Sequence, residues 1–257
     1  MDTPTVIVTR PLAQAEIFSQ KLAAMGRSAE VFPLLDILSL PDNSQLDATL
    51  SQLSEFALVA FVSPNAVHAV FSRLPLWPRN LPIAVMGEGS RTALSEHGLN
   101  NANAMIISPT NPDRTDSETL LEVLDLTRLK GKEVLIVRGE SGRELLADAL
   151  RSQGVVVRQI AAYRRLAPVL TPTRKQRLSE LLDRENEWVI TSSEALRILM
   201  SWCEKIDGAC SVAKMQRQKI IVPHQRIAET AQNFGFQSIT LTGSGDESLF
   251  VALQSNL

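Results

Sequence analysis

The sequence predicts an α/β fold built on parallel β-sheet. Three observations predict it: short β-branched runs that read as buried strands, amphipathic helical stretches between most of them, and a set of landmarks that recurs along the chain. Strands covered on both faces need apolar residues at successive positions. A helix between two strands is the crossover that makes them parallel.

The elements follow in order. Val6-Ile7-Val8 is the first strand, and Gln14 to Met25 is an amphipathic helix that ends at Gly26. Glu30 to Leu40 is extended. Strands recur at Ala57 to Val62, Ile83-Ala84-Val85, Met105-Ile106-Ile107 and Val134 to Val137. Glu144 to Ser152 is a second amphipathic helix, closed by Gly154, and Val155 to Leu166 is again extended. Trp188-Val189-Ile190, Ile220-Ile221-Val222 and Ile239-Thr240-Leu241 are the last strands.

The landmarks repeat at matched spacing. Val8-Thr9-Arg10 opens a helix ending at Gly26, and Ile136-Val137-Arg138 opens one ending at Gly154, with the same Arg-to-Gly interval. Phe61-Val62-Ser63-Pro64-Asn65-Ala66 matches Ile190-Thr191-Ser192-Ser193-Glu194-Ala195: strand, hydroxyl cluster, helix. Val85 and Gly98 match Val222 and Gly235 at equal separation. Any strand–helix unit resembles another, but several landmarks in register favour duplication.

Composition narrows the functional classes. Of 257 residues, 44% are hydrophobic and 21% charged, as in ordinary globular proteins. The length allows one large domain or two of about 100–150 residues. The formal net charge of -2 gives no global argument for nucleic acid or a membrane surface. Cys203 and Cys210 have the wrong spacing for a C-x-x-C pair and read as ordinary thiols in a reducing cytoplasm. The opening Met1 to Val6 has no basic and apolar leader pattern, and no apolar run approaches the roughly 20 residues that span a bilayer. A cytoplasmic protein is expected.

Ligands of parallel α/β sheets bind beyond the carboxyl ends of the strands. Those ends carry Thr9-Arg10, Ser63-Pro64-Asn65, Gly87-Glu88-Gly89-Ser90, Arg138-Gly139, Thr191-Ser192-Ser193 and His224. Free N–H groups at helix N-termini bind anions, and neighbouring hydroxyls assist. Each of these residues alone is more simply a helix cap, so the argument rests on the set. Gly87-Glu88-Gly89 and Gly243-Ser244-Gly245 do not continue into a nucleotide fingerprint and read as turns. No Ser/His/Asp order and no metal-ligand spacing stands out. His68 and His97 fall on helices as surface or packing residues, whereas His224 follows a strand and is retained as a candidate. Basic residues concentrate at Arg138, Arg143, Arg151, Arg158, Arg164, Arg165, Arg174, Lys175 and Arg177. Arg151 and Arg177 read as solvated helix faces; Arg138 sits at a strand end. Tyr163, the only tyrosine, precedes Arg164 and Arg165 in an extended segment.

These residues, in this order, resemble the uroporphyrinogen-III synthase family. The resemblance is carried by Val8-Thr9-Arg10-Pro11 with Gln14, Phe32-Pro33-Leu34-Leu35-Asp36-Ile37, Ser63-Pro64-Asn65-Ala66-Val67, and Val85-Met86-Gly87-Glu88-Gly89-Ser90-Arg91-Thr92-Ala93. It continues through Val137-Arg138-Gly139-Glu140-Ser141-Gly142-Arg143, Tyr163-Arg164-Arg165, Ile190-Thr191-Ser192-Ser193, and Arg226-Ile227-Ala228 to Gly235-Phe236. It covers essentially the whole chain. Val62 stands where many relatives have threonine, and Pro223-His224 where a small or hydroxyl residue is common, which weakens a polar role carried over to those positions.

The resemblance implies two flavodoxin-like, parallel-sheet α/β domains joined by a two-stranded β connector. One would be discontinuous, residues 1–36 plus 168–257, the other 41–160, with 32–40 and 160–167 pairing as the hinge. It implies a lyase of porphyrin and heme biosynthesis that cyclises hydroxymethylbilane, a linear tetrapyrrole with eight carboxylates, to uroporphyrinogen III. The terminal hydroxyl leaves, the distal pyrrole attacks through its substituted carbon, and a spiro intermediate recloses with that ring inverted. The reaction has no redox step, so no cofactor or metal is expected. Tyr163 is the candidate general acid, directly or through water. Thr9, Arg10, Ser63, Asn65, Gly87, Gly89, Thr92, Arg138, Gly139, Arg164, Thr191, Ser192, Ser193 and His224 are candidate substrate contacts, the three arginines gripping peripheral carboxylates. Two lobes on a hinge can close over so flexible a ligand. A monomer is expected, with transient contact to the upstream deaminase that forms hydroxymethylbilane, and no nucleic-acid or membrane partner. The competing readings are a two-lobed ligand sensor or binding protein, and a glycosyl- or phospho-transferring enzyme; no leader, effector module, phosphate loop or acidic metal pair supports them.

Overall fold

The computed structural model describes residues 3–109, 117–142 and 144–254. Met1, Asp2 and Arg143, the last a member of the basic cluster and of a family-like motif, lie outside the described residues.

In chain order the elements are β1 (Thr5–Val8), α1 (Leu12–Ala24), β2 (Ala29–Val31), β3 (Asp36–Leu38), α2 (Ser44–Leu50), β4 (Leu58–Phe61), α3 (Pro64–Phe71), β5 (Ile83–Val85), α4 (Glu88–Glu96) and β6 (Ile106–Ile107). There follow α5 (Ser117–Val123), α6 (Leu126–Leu129), β7 (Glu133–Gly139), α7 (Leu145–Ser152), β8 (Val156–Leu166), α8 (Pro172–Leu182) and β9 (Asn186–Val189). The last are α9 (Ser193–Arg217), β10 (Lys219–Val222), α10 (Gln225–Asn233), β11 (Ser238–Leu241) and α11 (Asp246–Gln254). Asp207 and Gly208 leave helical angles inside α9, which is two helical segments joined at a kink.

The chain divides into two compact units, Met1–Asp36 with Leu166–Leu257, and Ile37–Arg165. The first holds a five-stranded sheet in the order β11-β10-β9-β1-β2, every pairing parallel. The second holds a six-stranded sheet in the order β3-β8-β7-β4-β5-β6, parallel from β8 to β6.

The repeat explains these orders. Its matched strands are β1 with β7, β2 with β8, β4 with β9, and β5 with β10. Reading β2-β1-β9-β10 beside β8-β7-β4-β5 shows the same arrangement twice. Each sheet thus joins the strand–helix–strand unit of one repeat to the later strands of the other. The repeat glycines have one physical role. Gly26, Gly98, Gly154 and Gly235 have φ of +74°, +81°, +77° and +80°, where a Cβ is costly. In each case the next residue's N–H returns to a carbonyl five residues back: Arg27 to Leu22, Leu99 to Leu94, Val155 to Leu150, Phe236 to Ala231. These are Schellman closures, which turn the chain out of a helix and into the next strand.

Burial explains the apolar strands. In the first unit Val6, Val8, Val189 and Ile221 pack with α1 and α11, while Ile7, Trp188, Ile190, Ile220 and Val222 pack with α8, α9 and α10. In the second, Val59, Phe61, Ile83, Val85, Leu135 and Val137 face α2, α3 and α4. Leu58, Ala60, Ala84, Val134 and Ile136 face α5, α6 and α7. Successive side chains alternate between faces, so a sheet with two dry faces requires unbroken apolar runs.

The N-terminal edge of the first sheet carries a buried charge cluster. Arg27 and Glu187, each 3% exposed, pair at 2.5 Å, and Lys219 Nζ donates to the other Glu187 oxygen at 2.7 Å. Arg27 also donates to the carbonyls of Leu253, at the end of α11, and Pro4. Arg177, read from sequence as a solvated helix residue, is paired: it holds Glu30 and Glu180 and so ties α8 to β2. Burial pushes the Cys203 thiol up to about 12, so it serves as packing. No helix of the described residues is long and apolar enough to cross a membrane.

Candidate active site

In the second unit the candidate residues converge on the C-terminal edge of the sheet. Beyond β4 the backbone at Ser63 is extended, with φ −165° and ψ 157°, and its Oγ accepts the Ala66 N–H at 3.2 Å. Pro64 takes the first helical position, where a missing N–H costs nothing. Ser63 therefore caps α3, and the same Oγ lies 3.0 Å from Tyr163 Oη.

Tyr163 reaches this point through a bulge. Arg138 stands opposite Ala161 but Gly139 stands opposite Tyr163, so β8 holds one extra residue there. Strict alternation would send Tyr163 to the face of Ala161. The bulge instead buries Ala162 and Tyr163 on one face, against Phe61 and α3. Gly139 makes room: a Cβ there would lie 3.0 Å from Tyr163 Cζ and 3.3 Å from its Oη. The Glu140 N–H donates to the Tyr163 carbonyl at 2.8 Å, fixing the backbone behind the ring. Tyr163 keeps 6% of its surface exposed. When Ser63 donates to Oη, the phenolic proton remains available to a third group.

Gly87 and Gly89 bring α4 alongside. Gly87 precedes α4 in an extended conformation, and a Cβ on Gly89 would lie 3.4 Å from Pro64 Cγ, so the first turns of α3 and α4 are in contact. Asn65 is in the first turn of α3, and Thr92 is exposed on α4. These two turns aim backbone N–H groups beyond the strand ends, an arrangement suited to carboxylates.

The arginines divide. Arg138 is buried within β7, on the face opposite Tyr163, and its guanidinium is taken by Glu144 and by Gln159 Oε1 at 2.7 Å. Gln159 and Arg138 together hold the Glu144 carboxyl below the usual carboxylate range. Arg138 thus fastens the loop before α7, a tie that the sequence did not expose. Arg165 donates to the Ser141 carbonyl at 3.1 Å and fastens the same loop. Arg164 is half-buried on β8, and its Nε is buried with no partner among the described residues.

In the first unit a second set lies at the C-terminal edge of its own sheet. Thr9 is 1% exposed and donates to the Val189 carbonyl at 2.7 Å, tying β1 to β9. Arg10 lies over Phe18 and pairs with Asp246 at 2.7 Å. Thr191 lies in the short loop beyond β9, and Ser192 Oγ accepts the Glu194 and Ala195 N–H groups at 3.2 and 3.4 Å, capping α9. Ser193 is buried and accepts from Thr230 at 3.2 Å. His224 caps α10 by position, with Nδ1 at 3.4 Å from Ser244 Oγ. Asp246 and Ser244 were not singled out from sequence; their signal was the Gly243-Ser244-Gly245 turn at the head of α11. Among the described residues, no group of three or more His, Cys, Asp or Glu could hold a metal ion.

Ser63 has a separable test. Ser63→Ala removes the cap of α3 and the partner of Tyr163, and is expected to lower stability by about 1 kcal/mol in urea unfolding. The tyrosine stays held over Gly139, so the activity loss should be smaller than that of removing the phenol.

Residues 16–248 match the family model described as uroporphyrinogen-III synthase HemD. The uroporphyrinogen-III synthase of Salmonella typhimurium is 30% identical over 257 residues, covering 97% of this chain and 100% of the relative. That of Escherichia coli is 31% identical over 255 residues, covering 97% and 100%. Among solved structures, the uroporphyrinogen-III synthetase of Helicobacter pylori superposes with a TM-score of 0.61 at 15% identity, covering 98% of this chain and 99% of that one. A mutant Thermus thermophilus uroporphyrinogen III synthase gives 0.59 at 17% identity, covering 98% of each. Those two likenesses speak for the fold, and the family model with the curated relatives speaks for descent: the chain belongs to the uroporphyrinogen-III synthase family.

Proposed function

We propose that this enzyme cyclises hydroxymethylbilane to uroporphyrinogen III, inverting the last pyrrole and releasing water. The observation that carries the reading is the Tyr163 phenol. It is held 3.0 Å from Ser63, at the edge where a parallel sheet presents its ligand. Tyr163 gives its proton to the departing hydroxyl, directly or through one water, and the azafulvene forms with no external electron acceptor. Attack by the substituted carbon of the distal ring gives the spiro intermediate. Fragmentation and reclosure invert that ring.

In the second unit the carboxylate contacts are the first turns of α3 and α4, with Ser63, Asn65, Gly87, Gly89, Thr92 and Gly139. In the first unit they are Thr191, Ser192 and His224, while Thr9 and Ser193, buried and bonded to Val189 and Thr230, support the strand ends instead. Amides and hydroxyls suit this task because the azafulvene carries positive charge, which a cleft of bare guanidinium groups would oppose. Arg164 is the arginine proposed to grip a carboxylate, since Arg10 and Arg138 have carboxylate partners within the chain. Holding one conformation of a flexible substrate is a large part of the catalysis, because the unassisted ring closure gives the other isomer.

We also propose that residues 1–36 with 168–257 and residues 41–160 act as two flavodoxin-like domains, joined by 32–40 and 160–167 as a two-stranded connector. The place of β3 beside β8 supports this. The enzyme is proposed to work as a cytoplasmic monomer that meets the deaminase transiently.

The test generates hydroxymethylbilane in place with that deaminase, with and without this protein, then oxidises and separates the isomers. Type III porphyrin is expected to dominate only when the protein is present. Type I product at every concentration of folded protein would replace this reading with a ligand-binding one.

A further inference from the structure

The second unit contains a pair of histidines that the proposed reaction does not use. His68 lies in α3 and His97 caps the C-terminus of α4, and both are exposed. Their facing nitrogens, His68 Nδ1 and His97 Nε2, are 3.1 Å apart. Two imidazole nitrogens that share a metal, each at about 2.0–2.1 Å from it, stand close to this distance. A metal can thus replace the hydrogen bond between the rings once the two exposed side chains rotate to aim both nitrogens at it.

Three further features suit a cation here. The Glu96 carboxylate lies 3.8 Å from the remaining nitrogen of His68, Nε2. At that distance it adds a negative charge beside the pair, which favours a bound cation. Phe71 stacks on the His97 ring at 5.0 Å between centroids and 17° between planes, so the ring is held in place. Both histidines lie at the C-terminal ends of their helices, where the helix dipole favours positive charge.

We propose that His68 and His97 form a two-nitrogen chelate for a divalent transition-metal cation of the nickel, copper and zinc group, with water completing the coordination. Imidazole ligands select these ions over magnesium or calcium, which take oxygen. The bound ion ties α3 to α4, the two helices whose opposite ends carry Ser63 and Gly87. It takes no part in the ring closure, and the site stands whether or not the reaction proposed above is correct.

The test is calorimetric titration of the full-length protein with Ni2+ and with Cu2+, and electron paramagnetic resonance of the Cu2+ form. One equivalent is expected to bind, with coupling to two nitrogens and a rise in Tm. His68→Asn and His97→Asn should each abolish the two-nitrogen signal. Glu96→Gln, at an exposed position, should keep the fold and lower the affinity by about threefold, the effect of one screened charge. Cys210→Ser should bind as the parent does. Absence of binding to the parent protein, or two-nitrogen binding that survives His68→Asn, would overturn the proposal.

Discussion

Replacing Tyr163 with phenylalanine is expected to lower the rate of type III product formation by about 10²-fold or more, the range that a positioned general acid supplies. The same change should cost little stability. Phenylalanine keeps the ring over Gly139 and against Phe61 and α3, so the apolar packing survives. Only the hydroxyl is lost. Ser63 Oγ is half-buried and still accepts the Ala66 N–H, so no fully orphaned group remains. A single hydrogen bond of this kind contributes about 0.5–1.5 kcal/mol. Turnover measured in the coupled assay and stability measured by urea unfolding should therefore separate. Parallel losses in both would make Tyr163 a packing residue, and a near-normal rate would remove it from the chemistry.

The elements were legible because the physics that forms them is local. Runs such as Trp188-Val189-Ile190 declare a strand with two dry faces, since alternate residues enter different cores. The spaced glycines at 26, 98, 154 and 235 declare helix ends, since each needs a positive φ. The candidate site was legible as a set of strand ends for the same reason. What stayed hidden depends on register and distance. The bulge that turns Tyr163 toward Ser63 is one extra residue in β8, and nothing in Ala161-Ala162-Tyr163 announces it. Arg138 looked available at a strand end; its partner Glu144 depends on how the loop before α7 folds back, and Gln159 becomes a neighbour only once β8 pairs with β7. Arg10 and Asp246 are separated by almost the whole chain. Charge partners of this kind follow from the tertiary fold, so a sequence offers the arginine without its carboxylate.

Glu187→Gln is expected to destabilise the fold by about 3–5 kcal/mol, the usual cost of removing one partner from a buried ion pair. Glutamine preserves the shape, so the loss isolates the charge. Glu187 is 3% exposed and bridges Arg27 to Lys219 through its two oxygens. Lys219 can turn toward solvent, its side chain being 27% exposed, but Arg27 cannot, with 2%. Its guanidinium would stay charged beneath the sheet, with the carbonyls of Leu253 and Pro4 as its other acceptors. Against a typical total stability of 5–15 kcal/mol, that loss is large. Glu30→Gln provides the contrast. It breaks the pair with Arg177, whose side chain is 42% exposed, and should cost no more than about 1 kcal/mol. The cluster lies at the N-terminal edge of its sheet, away from Thr9, Ser192 and His224, so Glu187→Gln protein that remains folded should keep its type III selectivity. Joint replacement of Arg27, Glu187 and Lys219 by apolar residues of similar volume should recover much of the stability, because the penalty lies in the unpaired charge and not in a missing bond. A Glu187→Gln midpoint in urea close to that of the parent would mean that water reaches Arg27, and that the cluster contributes as little as a surface pair.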